Sequence, residues 1–149
     1  MKNLLLSLAV LTIALTTTQP AQAGTGKNDI GPSVIFGSGQ TSIGIDARFG
    51  LSDNFSLRPN IYFPSNTTTF GTAVTYDFQS PDAGRRLTPY AGLGVRFNSG
   101  ASSNTTAGYV TLGGDYNLDN SIVLKGNLSI PFSSSNATTT VGLGAGLRF

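Results

Sequence analysis

Eight charged side chains fall on positions that alternating strands would turn toward one shared interior: Asp46, Arg48, Arg58, Asp77, Arg96, Asp115, Lys125 and Arg148. Charges carried into an interior persist when they are paired, so their first chemistry is mutual neutralisation, with an ion path between them as the alternative. Catalysis has little to draw on. The chain has no His, no Cys and no Glu, which removes Ser-His-Asp triads, His or Cys metal sites and two-Glu acid/base pairs. A Ser-Lys dyad can still be written, because Lys125 and Ser129 share one strand face, but polar filling of an interior accounts for both. Gly142-Leu143-Gly144-Ala145-Gly146 resembles a dinucleotide loop only in composition. Such a loop must open a helix, whereas inward glycines relieve crowding inside a narrow barrel. No enzyme activity, cofactor or metal is expected.

The elements that must position these charges are strands. Before them, Lys2, the apolar run Leu4 to Leu15 and Ala21-Gln22-Ala23 make a secretory leader over residues 1–23, with the mature chain beginning at Gly24. That apolar run is too short to span a bilayer, and no later segment supplies a transmembrane helix. Removing 23 residues from 149 leaves 126, one domain by length (residues 24–149). Only 11% of the chain is charged, and Gly, Ser, Thr and Asn replace the Lys and Glu of ordinary water-facing surfaces. Without Lys2, eight Lys or Arg oppose seven Asp, so no basic patch suited to nucleic acid exists.

Eight stretches of about nine residues alternate apolar and polar side chains with the period of two that belongs to a strand. They are expected at 30–38, 43–51, 55–63, 70–78, 89–97, 110–118, 124–132 and 140–149. A turn is expected over Gly39 to Thr41, a tight one at Asp53-Asn54, and the longest loop over Asn98 to Tyr109. The sequons at Asn66, Asn104 and Asn136 read as solvated loop tips. Leu57-Arg58-Pro59-Asn60-Ile61 matches Leu124-Lys125-Gly126-Asn127-Leu128, which suggests a hairpin as the repeating unit. Outward aromatics gather at strand ends. Phe49, Phe55, Phe78, Tyr116 and Phe149 fall near one level and Phe63, Phe70, Phe97 and Phe132 near the other, as two girdles at lipid headgroups would.

The closing segment sets Val141, Leu143, Ala145, Leu147 and Phe149 against Thr140, Gly142, Gly144, Gly146 and Arg148. It resembles the C-terminal signature of bacterial outer-membrane β-barrels, and that resemblance implies that the barrel-assembly machinery reads it. The whole mature chain is similar to the small eight-stranded outer-membrane barrels, the family of outer-membrane proteins A and X and the opacity proteins. That resemblance implies an all-β, eight-stranded, antiparallel up-and-down barrel, monomeric, in contact with outer-membrane lipid. The charges would then form a salt-bridged plug with at most a narrow, weakly anion-selective leak. A small porin-like channel, and an exported soluble barrel that binds a small ligand, remain as alternatives.

Overall fold

The computed structural model describes residues 28–37, 39–65, 67–79, 86–100, 104–132 and 138–149. The expected leader at residues 1–23 and the mature start at Gly24 lie outside the described residues. So do Ser38, Asn66, Asn136 and the connection around Asp82 and Arg85. The strands are β1 Asp29–Gly37, β2 Gln40–Gly50, β3 Phe55–Phe63, β4 Thr67–Asp77, β5 Leu87–Gly100, β6 Asn104–Asn117, β7 Ile122–Pro131 and β8 Thr140–Arg148. Each pairs antiparallel with its neighbours in the sequence, and β1 pairs with β8, which closes the barrel and leaves no free edge.

The alternation sorts polarity the opposite way from a soluble barrel. All nine charged residues within the strands have inward parity, while outward side chains such as Ile43 (67% exposed), Leu93 (62%) and Leu147 (64%) stand free on the exterior. The buried core is the lumen. Asp29, Arg48, Arg58, Asp77, Asp115 and Lys125 lie there with Tyr62, Tyr90 and Tyr109. Each tyrosine lies over a glycine of the adjacent strand: Tyr62 over Gly44, Tyr90 over Gly113 and Tyr109 over Gly94. A β-carbon at any of the three would collide with the ring or with facing backbone, so these glycines make room for aromatic filling.

The expected strand positions hold, but several boundaries move outward. Gly37 pairs with Gln40, so the ladder begins before the expected turn has ended at Thr41, and Gly39 takes a φ of 72°. The loop expected over Asn98 to Tyr109 is largely ladder instead. Asn98 pairs with Thr105, Ser99 pairs with Asn104, and Tyr109 is buried in the lumen. The cause is that hydrophobic alternation reports the apolar band, whereas backbone pairing continues past it through Ser, Thr and Asn. β1 likewise begins one residue early, at Asp29.

The hairpin repeat extends to register. Leu57 faces Val74 as Leu124 faces Ala145, Arg58 faces Ala73 as Lys125 faces Gly144, and Asn60 faces Gly71 as Asn127 faces Gly142. Both asparagine side chains lie over the facing glycine. The two hairpins occupy opposite sides of the barrel and send one cation each, Arg58 and Lys125, into the lumen.

Candidate functional site in the barrel lumen

One end of the barrel carries the start of β1, the end of β8 and the connections β2–β3, β4–β5 and β6–β7; this is the terminal rim. The other carries the remaining four connections and is the loop rim. Near the terminal rim, short polar turns fix the strand ends. Asp119 accepts hydrogen bonds from the Ser121 and Ile122 amides at 2.6 and 2.8 Å, and Asp77 N–H donates to Asn54 O at 2.7 Å. These turns set the height of the charged residues just inside them.

Seven charges form an unbroken alternating chain across the lumen: Asp46, Lys125, Asp29, Arg48, Asp115, Arg58 and Asp77. Lys125 Nζ sits between Asp29 and Asp46. Arg48 reaches Asp29 at 2.9 Å and Asp115 at 2.7 Å, the first contact as an ion pair without hydrogen-bond alignment. Arg58 donates to both oxygens of Asp115, at 3.2 and 2.7 Å, and to Asp77 at 3.2 Å, with Nε on Thr75 Oγ1 at 3.0 Å. Its guanidinium lies 3.6 Å from the centroid of the Tyr90 ring. Ser56 and Thr75 hydroxyls donate to Asp77. Asp115 on β6 thus binds arginines from β2 and β3, tying opposite walls together with bonds of the charge-assisted kind.

Of the eight expected lumen charges, six are in this chain: Asp46, Arg48, Arg58, Asp77, Asp115 and Lys125. Arg148 is inward but hydrogen-bonds Asn117 at the terminal rim. Arg96 is inward and apart, higher on β5, with Thr140 Oγ1 at 3.2 Å and the Tyr109 ring at 5.1 Å. The seventh member of the chain is Asp29, fully buried. Apolar alternation starts strand 1 at Ile30 and so leaves Asp29 out, although it shares the inward parity of Gly31 and Ser33. Its inclusion corrects the inward balance to five cations against four carboxylates. Lys125 Nζ is engaged by the carboxylates of Asp29 and Asp46, which gives the Ser-Lys dyad with Ser129 no support.

On the exterior, Val141, Leu143 and Leu147 are exposed along β8, with Ala145 partly so, and Phe149 projects past the strand end. Phe149 meets Phe49 edge to face at 6.4 Å; Phe55 meets Tyr76 at 5.3 Å and Tyr76 meets Phe78 at 5.1 Å, all at the terminal rim. Tyr116 is outward at the terminal end of β6, and Phe63 and Phe132 lie at loop-rim strand ends. Phe70 and Phe97 face each other across β4 and β5.

No protein-family model and no curated protein matches this chain. Solved structures do match. A de novo designed transmembrane β-barrel superposes with a TM-score of 0.69 at 15% identity, covering 85% of this chain and 98% of the design. The N-terminal β-barrel domain of OprF from Pseudomonas aeruginosa gives 0.62 at 20% identity, covering 85% and 99%. The outer-membrane protein OprG of the same organism gives 0.55 at 13%, covering 84% and 96%. The fold of this chain is that of the small eight-stranded transmembrane β-barrels, outer-membrane proteins among them.

Proposed function

We propose that this chain is a small integral outer-membrane barrel with a structural or surface-interaction role, its lumen closed by ion pairs. The observation that carries the reading is the sorting of charge: every charged strand residue is inside, and the outward strand positions carry none. An arginine or lysine on the lipid face at mid-bilayer would cost about 2–4 kcal/mol, so an uncharged exterior is what a bilayer demands. Water demands the reverse. An exported soluble barrel would leave Ile43, Leu93 and Leu147 facing solvent without a partner.

The closed lumen rests on Arg48 and Arg58 meeting Asp115 from the opposite wall, in a barrel width that side chains can fill. Any residual leak would be narrow and weakly anion-selective, because inward cations exceed inward carboxylates by one. The exposed alternation of β8 and its final Phe149 supports reading of that strand by the barrel-assembly machinery, and the aromatic clusters support anchoring at headgroup level. Fractionation of the producing cells tests the membrane reading. The chain should stay with outer-membrane lipid and, in detergent, migrate differently unheated and boiled; recovery in the soluble periplasm would contradict it.

A further inference from the structure

The inward charges are not balanced uniformly along the barrel. Asp29, Asp46, Asp77 and Asp115 all lie in the terminal half, where Arg48, Arg58, Lys125 and Arg148 match them in number. Arg96 is the charge left over. The remaining aspartates, Asp53, Asp82 and Asp119, belong to terminal-rim connections, and the four loop-rim connections contain no acidic residue at all. Among the described residues no carboxylate forms an ion pair with Arg96.

Its surroundings are those of a receptor for a negative charge. A cavity of about 240 Å³ is lined by Arg96 together with Ser42, Thr69, Asn98, Tyr109 and Thr140, and by residues of the loop rim, toward which it opens. That volume corresponds to roughly eight water molecules at about 30 Å³ each. Arg96 Nε is buried and has no hydrogen-bond partner among the described residues, and its terminal nitrogen reaches Thr140 Oγ1 at 3.2 Å. A buried donor left without an acceptor carries a desolvation cost that an incoming acceptor would relieve. The Thr140 hydroxyl, which accepts from Arg96, keeps its own proton to donate, whereas the Thr69 hydroxyl is already given to Asn98 Oδ1 at 2.8 Å.

We infer that this vestibule binds one small oxyanion from solution, a phosphate, sulfate or short carboxylate, with Arg96 as the charged contact. The lining belongs to the inner wall of a closed barrel, so a lipid headgroup outside cannot reach it. The inference rests on the closed lumen of the preceding reading: with the ion-paired chain below, the anion occupies a dead-end site and does not pass through.

The test uses the full barrel refolded in zwitterionic detergent, with inorganic phosphate or sulfate titrated while the Arg96 Nε–H resonance is followed. A saturable shift is expected, with each anion displacing the other. Arg96→Gln should weaken binding about tenfold or more, the loss of a charge-assisted hydrogen bond. Arg96→Lys should retain part of it, and Arg148→Gln, which removes one inward charge at the other rim, should leave it unchanged. A non-saturating response, or the same saturation in Arg96→Gln as followed by the Thr140 and Tyr109 signals, overturns the inference. The unheated gel band shows that each variant is folded. Failure of the closed-lumen reading would register separately, as steady conductance in a bilayer.

Discussion

In the terminal half of the lumen, four carboxylates and three cations are locked into one chain that reaches from wall to wall. From Arg96 toward the loop rim, the described wall mixes Tyr, Thr, Ser and Asn with Ile35, Ala107 and Pro131 around a single cation and a cavity. Both halves are built by the same alternation on the same eight strands. What separates them is whether a charge finds its partner inside the protein. In the terminal half it does, and the walls are tied; in the loop half Arg96 has no charged partner among the described residues, and space remains.

The sharpest way to break this contrast is to remove the shared acceptor. Asp115→Asn leaves Arg48 and Arg58 buried with a neutral neighbour, and breaking a buried pair in this way costs about 3–5 kcal/mol. Arg96→Gln, which removes a hydrogen bond to Thr140 and leaves no opposite charge buried behind it among the described residues, should cost about 1 kcal/mol. With no Trp in the chain, the folded gel band across a urea series is the suitable readout. Equal losses for the two variants would erase the distinction.

The aromatic partners of the two arginines give a smaller contrast. Tyr90 lies 3.6 Å under the desolvated Arg58, and Tyr109 lies 5.1 Å from Arg96. Replacing Tyr90 with Leu should cost about 2 kcal/mol of cation–π attraction, against about 0.5–1 kcal/mol for Tyr109→Leu. The same urea series distinguishes them, and a larger loss at Tyr109 would invert the proposed order.

The two rims should also differ. Phe149 packs edge to face on Phe49, a contact worth about 0.5–1.5 kcal/mol, and it also ends the strand proposed as the assembly signal. Phe149→Ser should lower outer-membrane yield by more than this packing loss implies, while Phe132→Ser, at the loop rim, should lower it little. Quantitative blotting of membrane fractions measures both, and equal yields would remove the assembly role from Phe149.

The smallest expected effect is at Asp119 in the terminal-rim turn. The Ser121 and Ile122 amides donate to its carboxylate and hold its pKa below the ordinary value. A lowered folded pKa stabilises the fold above the unfolded value, about 3.9, and that contribution disappears as pH falls through the folded value. Wild type should therefore exceed Asp119→Ala slightly at neutral pH, with the gap closing below about pH 4. A gap that widens on acidification would contradict the turn's role.

The barrel was legible because period-two alternation is a property of local sequence. Phe55–Phe63 can be read off its own residues, and the structure places β3 on that span. The site was legible in membership more than in wiring. Parity alone put Arg48, Arg58 and Asp115 in the lumen, but their meeting depends on register around the whole ring, which no single strand encodes. Asp29 was lost at a boundary, where the apolar signal fades before the ladder does. Tyr109 was lost for the same reason, within a Ser/Thr/Asn run that pairs as strand without looking apolar. The unmatched state of Arg96 could be seen only once Asp29 was counted and the loop-rim connections were known to be free of acid.

Planar-bilayer recording on the purified protein tests the closed lumen most directly. The ion-paired chain predicts no steady conductance for solutes of sugar size, and at most brief, narrow events with a weak preference for anions. Large, stable, sugar-permeable openings would show that Asp115 does not hold the walls together, and cation selectivity would contradict the inward charge balance.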